Sequence, residues 1–370
     1  MDILAIGNAL LDIFWFTDDE SALSLGLHPN HSAHVKPGRL DELLLAVQNP
    51  IFVSGGSASN AAKAASALGL TTTFVGCVGT EDRERDQWAR SFEADLSASG
   101  VRCALESKTV PTGRCLVIRM PGDLKSVACS PSAATGFSPE SVPPEFFSQA
   151  RCVLLDGQVL RNAEVTEHIA VLARTHRVPL ALDMGSADIA RTHPARVLEI
   201  LKKNDVTLFM NAEEASAFAM ALRGLLPECE AFCAAQIISP ENSGNPIDAV
   251  DAAFGWLTRE HAAHKNAELN GADFPCIVEK RGPLGARAWV AGKRLDAGVT
   301  AVDKPLDDTA CGDVFDGAFV SARLRGAGID AALAFANEAA GAVLMAPGSR
   351  LDPEAFAALR GKLAAMSPAN

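Results

Sequence analysis

The sequence predicts an α/β fold: a mostly parallel, doubly wound sheet with helices on both faces, and a small β-rich sheet set apart from it. Three observations carry this expectation. Short apolar runs alternate with helical patterns along 370 residues, as in a parallel sheet whose crossovers are helices. The runs are apolar throughout rather than at every second residue, as strands covered on both faces require. Two turn-punctuated stretches, 13–54 and 103–132, interrupt the alternation and predict strands that pair into a second sheet, a lid.

In chain order, DILAIG (2–7) is the first strand, and MDILAIGNALLDIFWF around it lacks the basic region of a secretory leader. SGGSASNAAKAASALG (54–69) predicts a turn at Gly55-Gly56 where backbone can approach a ligand. Ser57 or Ser59 would then cap a helix bearing Asn60 in its first turn, and a glycine turn with a good cap explains the same residues without a ligand. TTFVGCVG (72–79) is a strand and WARSFEADLSASG (88–100) a helix closed by glycine. Within 103–132, PGD reads as a hairpin turn. The alternation resumes through CVLLDG (152–157), EVTEHIAVLARTH (164–176), PLALDMG (179–185), VTLFMN (206–211) and CIVEKRG (276–282). Residues 221–250, holding LPEC and SPENSGNP, predict an irregular surface insertion, and His28, His31 and His34 fall in a stretch that reads as a loop. One principal domain over 1–370 follows.

Composition narrows the function. A chain 48% hydrophobic and 21% charged is ordinary for a soluble enzyme, and no uninterrupted apolar run reaches membrane-spanning length. A net charge of −12 without a basic stripe argues against nucleic acid or anionic membrane as partner. Nine cysteines at irregular spacing predict reduced thiols in a cytoplasm, and Cys229 with Cys233 lacks the second pair that zinc requires. A Walker A signature is absent. GAGIDA (326–331) follows a helical pattern instead of a strand, so it reads as a chance match to the dinucleotide fingerprint.

LDDTACGDVFDGAF (306–319) carries the sharpest signal. Capping explains an Asp or Thr ahead of a helix, but not Asp313, one step inside it. A helix start presents free N–H groups and the positive end of a dipole, which together bind phosphate without basic side chains. Small residues at Ala310, Cys311 and Gly312 leave those amides open, and Asp313 stands where a carboxylate could take a proton from an attacking hydroxyl.

On these residues the chain resembles the ribokinase-like PfkB family of sugar and nucleoside kinases. DDTACGD (307–313) matches the late signature at Asp307, Gly312 and Asp313, and GGSASN (55–60) the early Gly-Gly signature. NAEE (211–214), EKRGPLGA (279–286) and FANEAAGAVLMAPGS (335–349) follow in family order, and the likeness runs from GNALLD (7–12) to Gly348. The resemblance implies a three-layer fold and ATP-dependent phosphoryl transfer, with Asp313 as base and the amides of 310–312 as anion hole. Asn8, Asp12, Gly55, Gly56 and Asn60 would hold the acceptor. Asn211, Lys280, Gly282, Gly285, Asn337 and Gly348 would border the nucleotide, and Glu214 would organise Mg²⁺. An exposed lid sheet can serve as a homodimer interface, but no sequence feature decides that or the need for a monovalent cation near 303–309.

Plainer readings stand beside these: a polar strand end for Asn8 and Asp12, a helix cap for Asn211 and Glu214, a core amide for Asn337. The chain also departs from the family. Ala310 replaces a glycine and would be strained at positive φ, and Asp308 adds negative charge near the phosphates. Lys280 could meet a phosphate or pair with Glu279. LKSVAC (124–129) replaces the usual lid run. GNALLDI and 25–44 look closer to the adenosine-kinase branch. Phe14, Trp15 and Phe16 could wall a base. A sugar is placed first as acceptor, a nucleoside second, and a non-catalytic sensor third.

Overall fold

A computed structural model describes residues 1–122, 124–238, 248–263, 275–299, 302, 305–346 and 348–366. Its main sheet has ten strands in the order Lys293–Ala297, Ala286–Val290, Cys276–Lys280, Val206–Asn211, Leu180–Asp183, Cys152–Asp156, Ile3–Ile6, Thr72–Glu81, Glu84–Arg85, with Arg102–Lys108 also on Thr72–Glu81. Pairing is parallel from Arg102–Lys108 through Cys276–Lys280 and antiparallel in the last two strands. Ile3–Ile6 lies between Thr72–Glu81 and Cys152–Asp156, so the chain order reverses there, and ligands of open α/β sheets bind outside the strand ends at such a reversal.

Two apolar cores sandwich this sheet. Ser57–Ala67, Gln87–Ala98, Cys311–Leu324, Ile329–Gly341 and Pro353–Ala364 cover one face. Ala163–His176, Pro194–Lys203, Ala212–Leu225 and Ala249–Ala263 cover the other. Arg102–Lys108 belongs to this sheet, so the 103–132 excursion begins one strand later than its sequence suggests.

The second sheet has five strands in the order His31–His34, Leu124–Ser130, Gly113–Met120, Leu10–Phe16, Ile51–Gly55. Both excursions contribute, and the hairpin falls at the expected turn, with Gly122 at φ 75°. Alternation along Leu10–Phe16 divides its side chains. Ile13 and Trp15 pack with Leu40, Leu116 and Ile118 beneath the sheet, while Phe14 packs with Val53, Cys115 and Val117 on the opposite face, which also carries Asp12.

Three expectations need correction. His31–His34 is an edge strand, because backbone pairing to Ser126–Cys129 outweighs its loop-like composition. Within 221–250, Pro227–Ile238 is a helix that buries Cys229 and Cys233, while SPENSGNP lies outside the described residues. The cysteines are not all thiols: Cys115 and Cys129 face each other across the hairpin at a Cα separation of 4.1 Å and form a disulfide. Among the described residues no helix is long and apolar enough to cross a membrane.

Candidate active site

The ends of neighbouring parallel strands converge on one cleft. Asp156 and Asp183 end adjacent strands in register, and Asn211 and Lys280 end the next two. The Asn8 N–H donates to Asp156 Oδ2 at 3.2 Å, which ties the exit of the first strand to this row.

The Gly55-Gly56 turn is shaped by close approach. A Cβ on Gly55 would lie 2.2 Å from Asp12 Oδ2, and one on Gly56 2.2 Å from the Asn8 carbonyl oxygen. Gly56 also has φ 96°, which disfavours any side chain. The turn leads into Ser57–Ala67, which carries Asn60. Asn60 Nδ2 donates to Asp313 Oδ2 at 2.8 Å across 253 residues of sequence, while its buried Oδ1 has no hydrogen-bond partner. A buried unpaired acceptor is costly unless a ligand donor meets it.

Asp313 sits in the first turn of Cys311–Leu324, a helix with no side-chain cap. No side chain accepts from the amides of that turn, and Cys311 N–H donates to the Asp308 carbonyl at 3.3 Å, which leaves the amides after it for an anion. Ala310 is in the left-handed region at φ 65°, as anticipated for a family glycine position. Ala310→Gly should relieve about 1 kcal/mol of strain, read as a higher Tm with activity retained. An unchanged or lower Tm would show that the turn bears no strain.

The loop before this helix is knitted by Asp307, which accepts from Thr309 N–H at 3.1 Å, Thr309 Oγ1 at 2.7 Å and Gly348 N–H at 2.7 Å. Two cations from the small sheet reach the same loop. Arg119 donates to the Leu306 carbonyl at 2.9 Å and lies 3.5 Å from Asp307, and Lys125 stands 3.1 Å from Asp308. The negative charge that Asp308 adds is thus matched across the cleft. Residues 303 and 304, part of the stretch considered for a monovalent cation, lie outside the described residues.

Burial and clustering of carboxylates raise several acidities. Burial, then the charge of Asp183, lifts Asp313 to about 6, opposed by its hydrogen bond from Asn60. Burial lifts Asp12 to about 7, helped by Asp313 and Asp307 and opposed by Lys63. Asp156 is raised to about 6 by burial, and Glu214 to about 7 by burial and then Asp183.

Other candidates are placed differently. Asn211 and Glu214 form a reciprocal capping box, so the plainer reading of that pair is realised, at the cleft nonetheless. Lys280 pairs with Asp183 at 2.7 Å and Asp316 at 2.9 Å, and Glu279 is taken by Arg287, so Glu279 is not the partner of Lys280. Although burial alone would discharge it, those carboxylates hold Lys280 charged, above its usual range. Gly282 and Gly285 shape the turn after that strand, and a Cβ on Gly285 would lie 2.1 Å from the Ala297 carbonyl oxygen. Asn337 donates to the carbonyls of Ala297 and Gly298, each at 3.1 Å, as a satisfied core amide. Gly348 has φ 60°, and a Cβ there would press on Phe14 at 2.9 Å. Of the three aromatics proposed as a wall, Phe14 and Phe16 share the face of Asp12, and only Phe14 is buried there. Trp15 is in the opposite core and Phe16 is exposed. Asp156, Asp183, Asp316, Lys63 and Arg119 were not singled out from sequence. Asp156 and Asp183 could have been, since both close an apolar strand run at the same position.

Comparison with known proteins gives concordant findings. The profile described as "pfkB family carbohydrate kinase" matches residues 20–237 and 258–355. Guanosine-inosine kinase of Escherichia coli (strain K12) is 23% identical over 225 residues, 58% of this chain and 52% of that protein, so the match spans about half the length of this curated relative. The adenosine kinase of Sinorhizobium meliloti superposes with a TM-score of 0.76 at 21% identity, covering 98% of this chain and 99% of that one. A probable sugar kinase from Rhizobium etli CFN 42 gives 0.77 at 20%, covering 98% of each. At these identities the structural likeness establishes the fold.

Proposed function

Since the chain belongs to the pfkB family of carbohydrate kinases, we propose that it transfers the γ-phosphoryl group of ATP to a hydroxyl of a small acceptor, with Asp313 as general base. The observation that carries this reading is the pair Asn60 and Asp313. One side chain holds the base, and its own unpaired oxygen awaits a donor, beside a helix start whose amides no side chain caps. The acceptor oxygen forms a bond to the γ-phosphorus as the bond to the departing ADP oxygen breaks. The hydroxyl proton passes to Asp313, and the first-turn amides of Cys311–Leu324 take the charge on the moving group. Asp12 and the Gly55-Gly56 turn grip neighbouring hydroxyls. Mg²⁺ accompanying the nucleotide would draw on Glu214 and the phosphates, offsetting their charge, since this ion needs one or two carboxylates and keeps several waters.

A nucleoside acceptor has one structural point in its favour: Asp12 shares its sheet face with the apolar residues Phe14, Val53, Cys115 and Val117, which are buried against one another here, and a base binds beside apolar side chains. The names of the guanosine-inosine and adenosine kinases agree with it, while the family description and the probable sugar kinase agree with a sugar. The deciding experiment is ATP consumption against adenosine, guanosine, inosine, ribose, fructose and sugar phosphates. Turnover of nucleosides bears the proposal out, turnover of sugars alone returns the sugar to first place, and none at all leaves a sensor.

The pH profile follows from the carboxylates. Asp313 must be ionised to accept a proton and Asp12 to receive hydroxyl donors, and their acidities are raised to about 6 and about 7. Activity should therefore rise with pH, with kcat/KM for the acceptor climbing through the interval from about 6 to about 7. Rates measured from about pH 5 to 9 check this, and a flat profile across that window would remove both groups from their roles.

A further inference from the structure

A buried ammonium that the reaction above does not use is tied to the acceptor turn. Lys63 lies one turn beyond Asn60 on Ser57–Ala67 and is 2% exposed. Its Nζ donates to the carbonyl and to the hydroxyl of Ser54, each at 3.0 Å, and stands 3.4 Å from Asp95 Oδ2. Asp95 in turn accepts from Ser54 N–H at 2.8 Å and Oγ at 2.6 Å, and Ser349 Oγ adds a 3.2 Å bond to the Ser54 carbonyl. All of these contacts except the Lys63–Asp95 pair itself converge on the residue that precedes Gly55-Gly56. An apolar side chain of similar shape would fill the helix interface without the desolvation cost of a buried charge, so stability alone gives no reason for a lysine here.

The charges around Asp12 supply a reason. Asp313 and Asp307 act on it from the helix start and its preceding loop, and Lys63 is the cation that opposes them. Lys63 itself is lowered by burial, which outweighs Asp95 and Asp12, with Arg350 adding to the lowering. We infer that Lys63 is a positioning residue for the acceptor: it fixes the Gly55-Gly56 turn against Asp12 and provides the counter-charge that keeps Asp12 an acceptor of hydroxyl protons. This rests on the kinase reading and deepens it.

The test uses Lys63→Met, Lys63→Arg and Asp95→Asn in the full chain, with the acceptor that the substrate panel identifies. Lys63→Met should raise the acceptor KM at least about tenfold, while kcat and the KM for ATP stay within about threefold. The acid limb of kcat/KM for the acceptor should move up by about one pH unit, and Lys63→Arg should recover most of both changes. An unaltered acceptor KM and acid limb in folded Lys63→Met overturns the inference. So does a parallel loss of kcat and both KM values with a fall in Tm that Lys63→Arg does not repair. If Lys63→Met does not fold, Asp95→Asn decides, because a wild-type acceptor KM in it overturns the inference and a selective rise upholds it. A wild type that phosphorylates no acceptor sinks the kinase reading as well, whereas an active wild type with indifferent variants sinks this inference alone.

Discussion

Asp313→Asn lowers kcat by about 10²–10⁴ while nucleotide binding stays near wild type, the loss expected when a positioned base is removed without a change of shape. Asparagine fills the same space at the start of Cys311–Leu324 and leaves the first-turn amides where they are. Only proton acceptance goes. The pH dependence should go with it: the rise of kcat/KM through about 6 belongs to Asp313, so the residual activity of the variant should lose that limb. Single-turnover phosphorylation and a nucleotide-binding titration make the check. A variant that turns over at wild-type rate would transfer the base to another carboxylate of the cleft, with Asp12 the first to examine.

Gly317→Val should cost about 3 kcal/mol or more of stability, as overpacking at a rigid contact does, and take activity down with it. The helices Cys311–Leu324 and Ser57–Ala67 cross at this glycine, where a Cβ would stand 2.3 Å from the Ala61 carbonyl oxygen and 3.2 Å from its Cα. Both obstructing atoms are backbone, so no rotamer change relieves them. Parting the helices separates Asn60 from Asp313, now 2.8 Å apart. Tm and kcat should therefore fall together, unlike Asp313→Asn, where kcat falls alone. A Gly317→Val chain with wild-type Tm and rate would show that the interface yields freely and does not set the site.

The main sheet was legible because its strands are buried on both faces and read as unbroken apolar runs, and the two excursions because alternation and turn residues replace those runs. The Gly55-Gly56 turn and Asp313 were legible for a different reason: a glycine pair and a carboxylate past the cap position stand out from the apolar periodicity of the helices that they open. What escaped depends on which elements meet. The partners of Lys280 come from the Leu180–Asp183 strand and the Cys311–Leu324 helix, and no local pattern joins them. His31–His34 has the composition of a loop and becomes a strand only because a partner edge is present. Pro227–Ile238 hid behind a proline that starts the helix and does not break it. The disulfide could have been anticipated, since a turn at PGD sets Met120 opposite Leu124 and, five steps back along each strand, Cys115 opposite Cys129.

The bond between Asn60 and Asp313 spans 253 residues. At ribosomal speeds of about 5–20 residues per second, roughly 10–50 s separate the emergence of the two groups. Throughout that interval the alanine-rich flank of Ser57–Ala67 has no helix to cover it, so the growing chain exposes a sticky surface and no competent centre. A nascent polypeptide halted before its last quarter would neither consume nucleotide nor escape the attention of chaperones.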